Sequence, residues 1–305
     1  MKYLNQQPAI SVKDLTKFYS HADAAAIAGI SLDIYPGERV GLIGANGSGK
    51  TTLFRLILHL LHPDAGEIKI MGSTQLEKAK KFIGYVSEYQ EGLENFTPNE
   101  ILEYAGRMAL LNSEKIESRR KELLKWARLE SHADQLLAGF SKGMRQRLFL
   151  ATALIHQPAI LLLDEPMSGL DPESQNEFLT LLKSLETYTI LYASHQLGEV
   201  EEICQRIIIL HQGKIVKDLS IKEQEVEIFQ LEADPAMLSI LSGFPEITIR
   251  NQIQQKDHLH LELIARPVQF QDIVAESKKQ GISIYRLKSK SFIEDLYHRN
   301  FSESK

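Results

Sequence analysis

Eight consecutive residues, Gly44-Ala45-Asn46-Gly47-Ser48-Gly49-Lys50-Thr51, restrict this chain more than any other feature. They match G-x-x-x-x-G-K-[ST], and their flanks matter as much as their identity. Val40, Leu42 and Ile43 before them read as a short apolar strand. Leu53, Leu56, Ile57 and Leu60 after them fall on one face of a helix. A strand, a glycine-rich turn and a helix are what a phosphate cradle requires. Glycines let successive backbone N–H groups curl round an anion, and the helix start adds its partial positive charge. Lys50 is then placed to reach the β- and γ-phosphates, and the Thr51 hydroxyl to bind Mg²⁺. With glycine near 7% of residues, a chance match in a chain this long has odds on the order of one in a hundred. The flanking strand and helix lower those odds further. The segment reads as a nucleotide-binding site.

Two later strand ends supply the chemistry such a site needs. In HQPAILLLDEPMSGLDP (156–172), the apolar run reads as a buried parallel strand ending at Asp164-Glu165. A carboxylate at that end can hold Mg²⁺ beside the phosphates, which assigns Asp164 as a metal ligand together with Thr51. Glu165, pointing the other way by strand alternation, can orient or deprotonate an attacking water. A further strand over 190–193 leads to Ser194-His195, where His195 can contact a γ-phosphate.

Composition sets bounds on the rest. The 305 residues suffice for two domains, and a hydrophobic content of 43% with 25% charged residues is ordinary for a globular chain. A net charge of −5 gives no global attraction to nucleic acid. The one cysteine, Cys204, excludes an intrachain disulfide. The first fifteen residues lack the apolar core of a signal peptide, and no apolar run reaches the ~18 residues of a spanning helix.

The stretch FSKGMRQRLFLATAL (140–154) carries a contradiction. Its apolar spacing is helical and Ser141 can cap it, yet Lys142, Arg145 and Arg147 crowd the first turns. There the helix dipole disfavours cations by about 0.3–1 kcal/mol each. Either these are long solvated side chains, or the helix end is built to meet an anion from elsewhere.

Taken in order over roughly 9–219, these motifs resemble the ATP-binding subunit of ABC (ATP-binding cassette) transporters. GANGSGKT resembles that family's Walker A loop, ILLLDEP its Walker B strand, SGLD its D-loop and His195 its switch histidine. The resemblance implies ATP and Mg²⁺ as ligands, with Gly44, Asn46, Gly47, Ser48, Gly49, Lys50, Thr51 and Thr52 around the phosphates. It implies that Tyr19 stacks on adenine, that Asp171 belongs to the nucleotide site, and that Lys50, Glu165 and His195 are catalytic. FSKGM takes the place of the family's LSGGQ signature, with Phe140, Lys142 and Met144 replacing Leu, Gly and Gln. Ser141, Lys142 and Gly143 would then face the ATP held by the partner in a head-to-tail homodimer. Glu88 stands where the family usually has a glutamine, with Gln90 two residues on. An acid there, assigned as a further Mg²⁺ contact, and the K-G-M signature resemble a subgroup of exporter ATPases that pair with a separate membrane-spanning protein.

The expected fold is therefore α/β: a P-loop NTPase core of the ABC cassette type over 1–219, a helical subdomain near 88–156, and a small C-terminal α+β accessory domain over 220–305. In that last part Val226 and Ile228, Ile247 and Ile249, Leu259, Leu261 and Leu263, then Ile282 and Ile284 alternate as half-buried strands. Helices are expected near 235–241, around Phe270, Ile273 and Val274, and from a capping box at Ser291 that carries Leu296, Tyr297 and Phe301 inward. His258 and His260 share a strand face but lack a third ligand. The function expected is ATP hydrolysis powering a membrane exporter, from the cytoplasmic side of the membrane through a permease partner, without nucleic acid. An importer ATPase, or a cassette ATPase acting on nucleic acid or ribosomes, is the alternative.

Overall fold

The computed structural model describes residues 6–20, 24–88, 92–221, 226–255 and 257–295. The chain divides into two compact units, Met1–Leu219 and Ser220–Lys305. The first opens with β1 (Ile10–Lys17) and β2 (Ile27–Ile34), then β3 (Arg39–Ile43), α1 (Lys50–Ile57), β4 (Ala65–Ile70) and α2 (Leu76–Ala79). It continues through β5 (Ile83–Val86), α3 (Pro98–Met108), α4 (Ser113–Trp126) and α5 (Lys142–Ala153) to β6 (Ile160–Asp164) and α6 (Pro172–Ser184). It ends with β7 (Thr189–Ser194), α7 (Leu197–Ile203), β8 (Arg206–His211) and β9 (Lys214–Ser220). Gln90 lies outside the described residues.

Two sheets enclose α1. One is antiparallel in the order β2-β1-β4; the other has six strands in the order β5-β6-β7-β3-β8-β9, with β5, β6, β7, β3 and β8 parallel. Strands covered on both faces need continuous apolar runs, and β3 and β6 are buried at every position. The core packs Ile10, Val12, Ile30 and Ile68 of the small sheet, through α1, against Leu162, Leu191 and Ile208 of the large one. Pressed from two sides, α1 buries six of its eight residues. The helix is shorter than its apolar spacing suggests: His59 turns left-handed at φ 53°, and Leu60, expected on the buried face, is 61% exposed. Between β8 and β9, Gln212 and Gly213 both take positive φ, as a two-residue hairpin turn with right-handed strand twist requires.

Helices α3, α4 and α5 pack together as a layer between β5 and β6 in the chain. Thr97 and Glu100 form a reciprocal capping box with Pro98 in the first turn of α3, and Asn112 caps α4. Among the described residues no helix is long and apolar enough to cross a membrane.

The second unit runs β10 (Glu227–Ala233), α8 (Met237–Leu241), β11 (Thr248–Gln255), β12 (His258–Ala265), α9 (Pro267–Lys279) and β13 (Ile284–Ser291). Its antiparallel sheet has the order β11-β12-β10-β13, a split βαβ arrangement of α+β type. Strict alternation in β12 buries Leu259, Leu261 and Leu263 against α8 and α9, where Phe229 and Phe270 stack at 3.8 Å. Ile249 departs from the buried face expected of it: on edge strand β11 it is 43% exposed. A helical turn begins at Phe292, with Ser291 Oγ accepting from Ile293 N. Leu296, Tyr297 and Phe301 lie outside the described residues. His258 pairs with Glu232 at 2.9 Å.

Phe54 is fully buried where the two sheets meet α1. Phe54→Ala should destabilise the first unit by about 3–5 kcal/mol. Urea unfolding followed by fluorescence of Trp126, the lone tryptophan, reads that unit alone. A loss below about 1 kcal/mol would contradict this packing.

Candidate active site

The loop after β3 folds on itself before α1 begins. Gly49 sits at φ 111°, and a Cβ there would lie 2.6 Å from the Ala26 carbonyl, so only glycine closes this turn. Ser48 is buried, donating its N–H to the Ala45 carbonyl and accepting from Gly213 N at its own. Asn46 and Gly47 stay exposed at the tip, with Gly44 buried at the base. Thr52 is buried, and its hydroxyl lies 3.2 Å from that of Tyr19, which brings the exposed Tyr19 ring beside the loop.

Lys50 opens α1 with its side chain almost wholly buried. Its ammonium donates to the Gly44 carbonyl at 2.6 Å and lies 3.1 Å from Glu165 Oε1. The second contact is an ion pair without hydrogen-bond alignment, since Oε1 has no hydrogen-bond partner among the described residues. Glu165 Oε2 accepts from His195 twice, from Nδ1 at 2.8 Å and from the backbone N–H at 3.3 Å. An ionised carboxylate only accepts, so Nδ1 carries the proton and Nε2 is the ring nitrogen available to another partner.

These three residues meet because of strand order. β3 lies against β7, and β7 against β6, all parallel, so Lys50, His195 and Glu165 emerge at neighbouring carboxyl ends. Glu165 does not reach its place by pleat alternation alone. Its backbone already leaves the strand in the left-handed region, φ 47°, anchored by donation of its N–H to the Ala193 carbonyl. A bulky residue held at positive φ is strained, and such strain persists only where the surroundings fix it.

Asp164 is 1% exposed, and its Oδ1 has no hydrogen-bond partner among the described residues. Its carboxyl is pushed up to about 6: burial comes first, the Thr51 hydroxyl facing it pulls back down, and the charges of Glu165 and Glu88 raise it again. Glu88 is thereby close enough to be felt at Asp164. Thr51 and Asp164 bring two hard oxygen donors together with one buried oxygen unsatisfied, which suits a small divalent cation, and Glu88 adds a nearby negative charge. Among the described residues no group of three His, Cys, Asp or Glu could hold a metal unaided. A cation here would complete its shell with other oxygens, as phosphates provide. Sequence reasoning missed Tyr85, on β5. Burial and the Asp164 charge push its hydroxyl up to about 12. The only clue was its place two residues ahead of Ser87-Glu88.

A second cluster lies around the start of α5. Ser141 caps the helix, its Oγ accepting from Met144 N. Gly143 packs so tightly on α6 that a Cβ would lie 2.4 Å from Ser174 Oγ. Ser174 in turn donates its hydroxyl to Asp171 Oδ2, while Asp171 Oδ1 caps α6 by accepting from Ser174 N. Lys142 lies over Gly169, its ammonium 2.6 Å from where a Cβ there would stand. The three cations of this helix separate. Arg147 is buried, donating to the Ala127 carbonyl and pairing with Glu177, and Arg145 lies 3.9 Å from Glu94. Only Lys142 remains exposed at the helix start. No hydrogen bond or ion pair among the described residues joins Ser141, Lys142, Gly143 or Asp171 to residues 44–52.

A model of the ABC transporter family matches residues 27–168. The ABC transporter ATP-binding protein YxlF of Bacillus subtilis is 31% identical over 94% of this chain and 98% of its own length. Nod factor export ATP-binding protein I of Rhizobium etli is 38% identical over 69% of this chain and 67% of its own. Among solved structures, an ATP-binding subunit of an ABC transporter aligns with a TM-score of 0.64 at 30% identity, covering 71% of this chain and 92% of that one. A dimeric cassette bound to ADP and phosphate after hydrolysis aligns with a TM-score of 0.63 at 28% identity, covering 70% and 98%.

Because the folded Asp164 carboxyl titrates near 6 rather than its ordinary 3.8, ionising it costs the folded chain stability. That cost is absent below about pH 4, grows between there and about pH 6, and is complete above. Asp164→Asn should therefore stabilise the nucleotide-free protein by roughly 2–3 kcal/mol at neutral pH. The gain should fade as pH falls toward 4. Thermal melting across that range checks it, and a variant less stable than the native chain at neutral pH would contradict it.

Proposed function

The chain belongs to the ABC transporter family as an ATP-binding subunit that hydrolyses ATP, and on that premise we propose that it does so at two composite sites in a head-to-tail homodimer. The observation that carries this is the contact of Lys50, Glu165 and His195 at three neighbouring strand ends beside a phosphate loop. The separate cluster of Ser141, Lys142 and Gly143 supports the dimer. It combines an exposed helix start with the exposed Lys142 ammonium, and among the described residues no hydrogen bond or ion pair joins it to residues 44–52.

Thr51 and Asp164, with Glu88 nearby, would hold Mg²⁺, which neutralises charge on the phosphates when bound. Lys50 exchanges its contact with Glu165 for oxygens of the β- and γ-phosphates, which frees the carboxylate. Glu165 then takes a proton from the attacking water as the bond from water oxygen to γ-phosphorus forms and the bond to the bridging oxygen breaks, leaving ADP and phosphate. His195 would donate from Nε2 to a γ-phosphate oxygen with its ring doubly protonated, the form in which both nitrogens donate, while Nδ1–H stays tied to Glu165. Tyr19 stacks on the adenine. From the partner, the N–H groups at Ser141 and Gly143 and the Lys142 ammonium complete the site around the developing charge, with Asp171 holding the adjoining helix in register.

The membrane partner would dock in a groove of about 1580 Å³ lined by Phe82, Tyr85, Phe96, Tyr104, Met108 and Phe149. Tyr104 and Met108 are each 67% exposed, an unusual display of apolar surface in a groove that Ser87, the chain neighbour of Glu88, also lines. That proximity would let closure around ATP be transmitted through Glu88 to a permease, from the cytoplasmic side of the membrane. Relatives named for export, together with the acidic Glu88 and the K-G-M signature, favour an exporter.

Light scattering and phosphate release on three chains test this. Native protein should dimerise with ATP and turn it over. Glu165→Gln should trap the ATP-bound dimer with turnover reduced about 100-fold or more. Lys142→Glu should abolish that dimer. Turnover by a monomer indifferent to Lys142 would contradict the composite site.

A further inference from the structure

The turn that presents His195 is itself held from behind. Tyr192 Oη and Ser194 Oγ both donate to Glu199 Oε2, each at 2.9 Å, and Ser194 Oγ accepts from Gln196 N at 3.0 Å. Tyr192 and Ser194 are fully buried, and Glu199 Oε1 has no partner among the described residues. Glu199 thus links the last residues of β7 to the first turn of α7, with His195 in the turn between the two elements. The carboxyl is raised, first by burial, against the pull of Ser194 and Tyr192; the charges of Glu165 and His195 are felt there as well.

Burying a tyrosine hydroxyl, a serine hydroxyl and a carboxylate beside one another costs stability unless each finds a partner. A phenylalanine at 192 would fill the same core space without that cost. The arrangement therefore fits a task that apolar packing cannot perform: fixing the direction of a turn.

We propose that Glu199 is a positioning residue for ATP hydrolysis, which clamps the Ser194–Gln196 turn through Tyr192 and Ser194 so that both donors of His195 meet Glu165 Oε2. This rests on the roles given above to Glu165 and His195. Glu199 makes no hydrogen bond to residues 44–52 among the described residues, so its loss should affect turnover rather than ATP affinity. Misplacing a catalytic contact by about 1 Å can cost on the order of 100-fold.

In the full chain, Glu199→Ala should lower kcat about 10- to 100-fold with KM for ATP within about two-fold. Glu199→Gln should recover most of the rate, because an amide oxygen still accepts from both hydroxyls. Tyr192→Phe, which removes one anchor, should cost about two- to five-fold. The decisive comparison is a double-mutant cycle with His195→Ala: if Glu199 acts through His195, adding Glu199→Ala should lower the residual rate by less than about two-fold. Losses that multiply in the cycle, a Gln variant as slow as Ala, or an unchanged kcat in Glu199→Ala would each overturn the proposal. An unchanged rate in His195→Ala alone would remove the role of His195 and this inference with it. Should Glu199→Ala fold poorly by thermal melting, Ser194→Ala and Tyr192→Phe take its place in the cycle, judged by the same criterion.

Discussion

One buried carboxylate organises this molecule's chemistry. Glu165 is shared between the Lys50 ammonium at 3.1 Å, a contact buried on both sides, and the ring of the partly exposed His195 at 2.8 Å. A buried carboxylate is tolerable only when paired and hydrogen-bonded, and these partners come from chain segments more than a hundred residues apart. That requirement fixes strand order. β7 must lie between β3 and β6, and their ends must point the same way, or the three side chains could not meet. The left-handed backbone at Glu165 adds local strain to the same point, held by its bond to Ala193.

Much of the remaining architecture steadies this meeting place. α1 is pressed between two sheets, so the start of the helix, and Lys50 with it, has little freedom. Glycines permit close approach where the backbone must pass another element: Gly49 at the Ala26 carbonyl, Gly143 at Ser174. Through Ser174 and Asp171, the start of α5 is registered to the start of α6, and the loop carrying Gly169 leads back to Glu165, whose carbonyl accepts from Ser168 N. The two clusters of one chain are thus joined by a short path of packing and hydrogen bonds, with no hydrogen bond or ion pair directly between them among the described residues. Such a path suits a protein in which binding at one surface must be felt at another.

The parts legible in the sequence are those with a local cause. The phosphate loop is encoded by contiguous residues, the buried strands by unbroken apolar runs such as Ile160–Asp164, and the cap at Ser141 by its place ahead of a helical repeat. What escaped depends on tertiary neighbours. Arg145 and Arg147 look like a cationic cluster along with Lys142, yet Arg147 is absorbed by the Ala127 carbonyl and Glu177, contacts no sequence window contains. Leu60 fits the helical spacing but falls beyond a turn at His59. The two bonds that Ser174 gives Asp171, one from its N–H and one from its hydroxyl, likewise depend on the fold of the α6 start. Tyr85 and Glu199 left almost no trace, because a tyrosine in an apolar strand and an acid in a first helical turn are both ordinary until their partners are known.

The central claim is that one chain carries two halves of a site that only a second chain can complete. Its most direct test is the specific ATPase activity of the native protein, measured over a wide range of protein concentration at saturating ATP and Mg²⁺. Composite sites require that activity per chain rise with concentration and level off once dimers dominate. Activity per chain that stays constant down to the most dilute protein, where the chain is monomeric by light scattering, would contradict it.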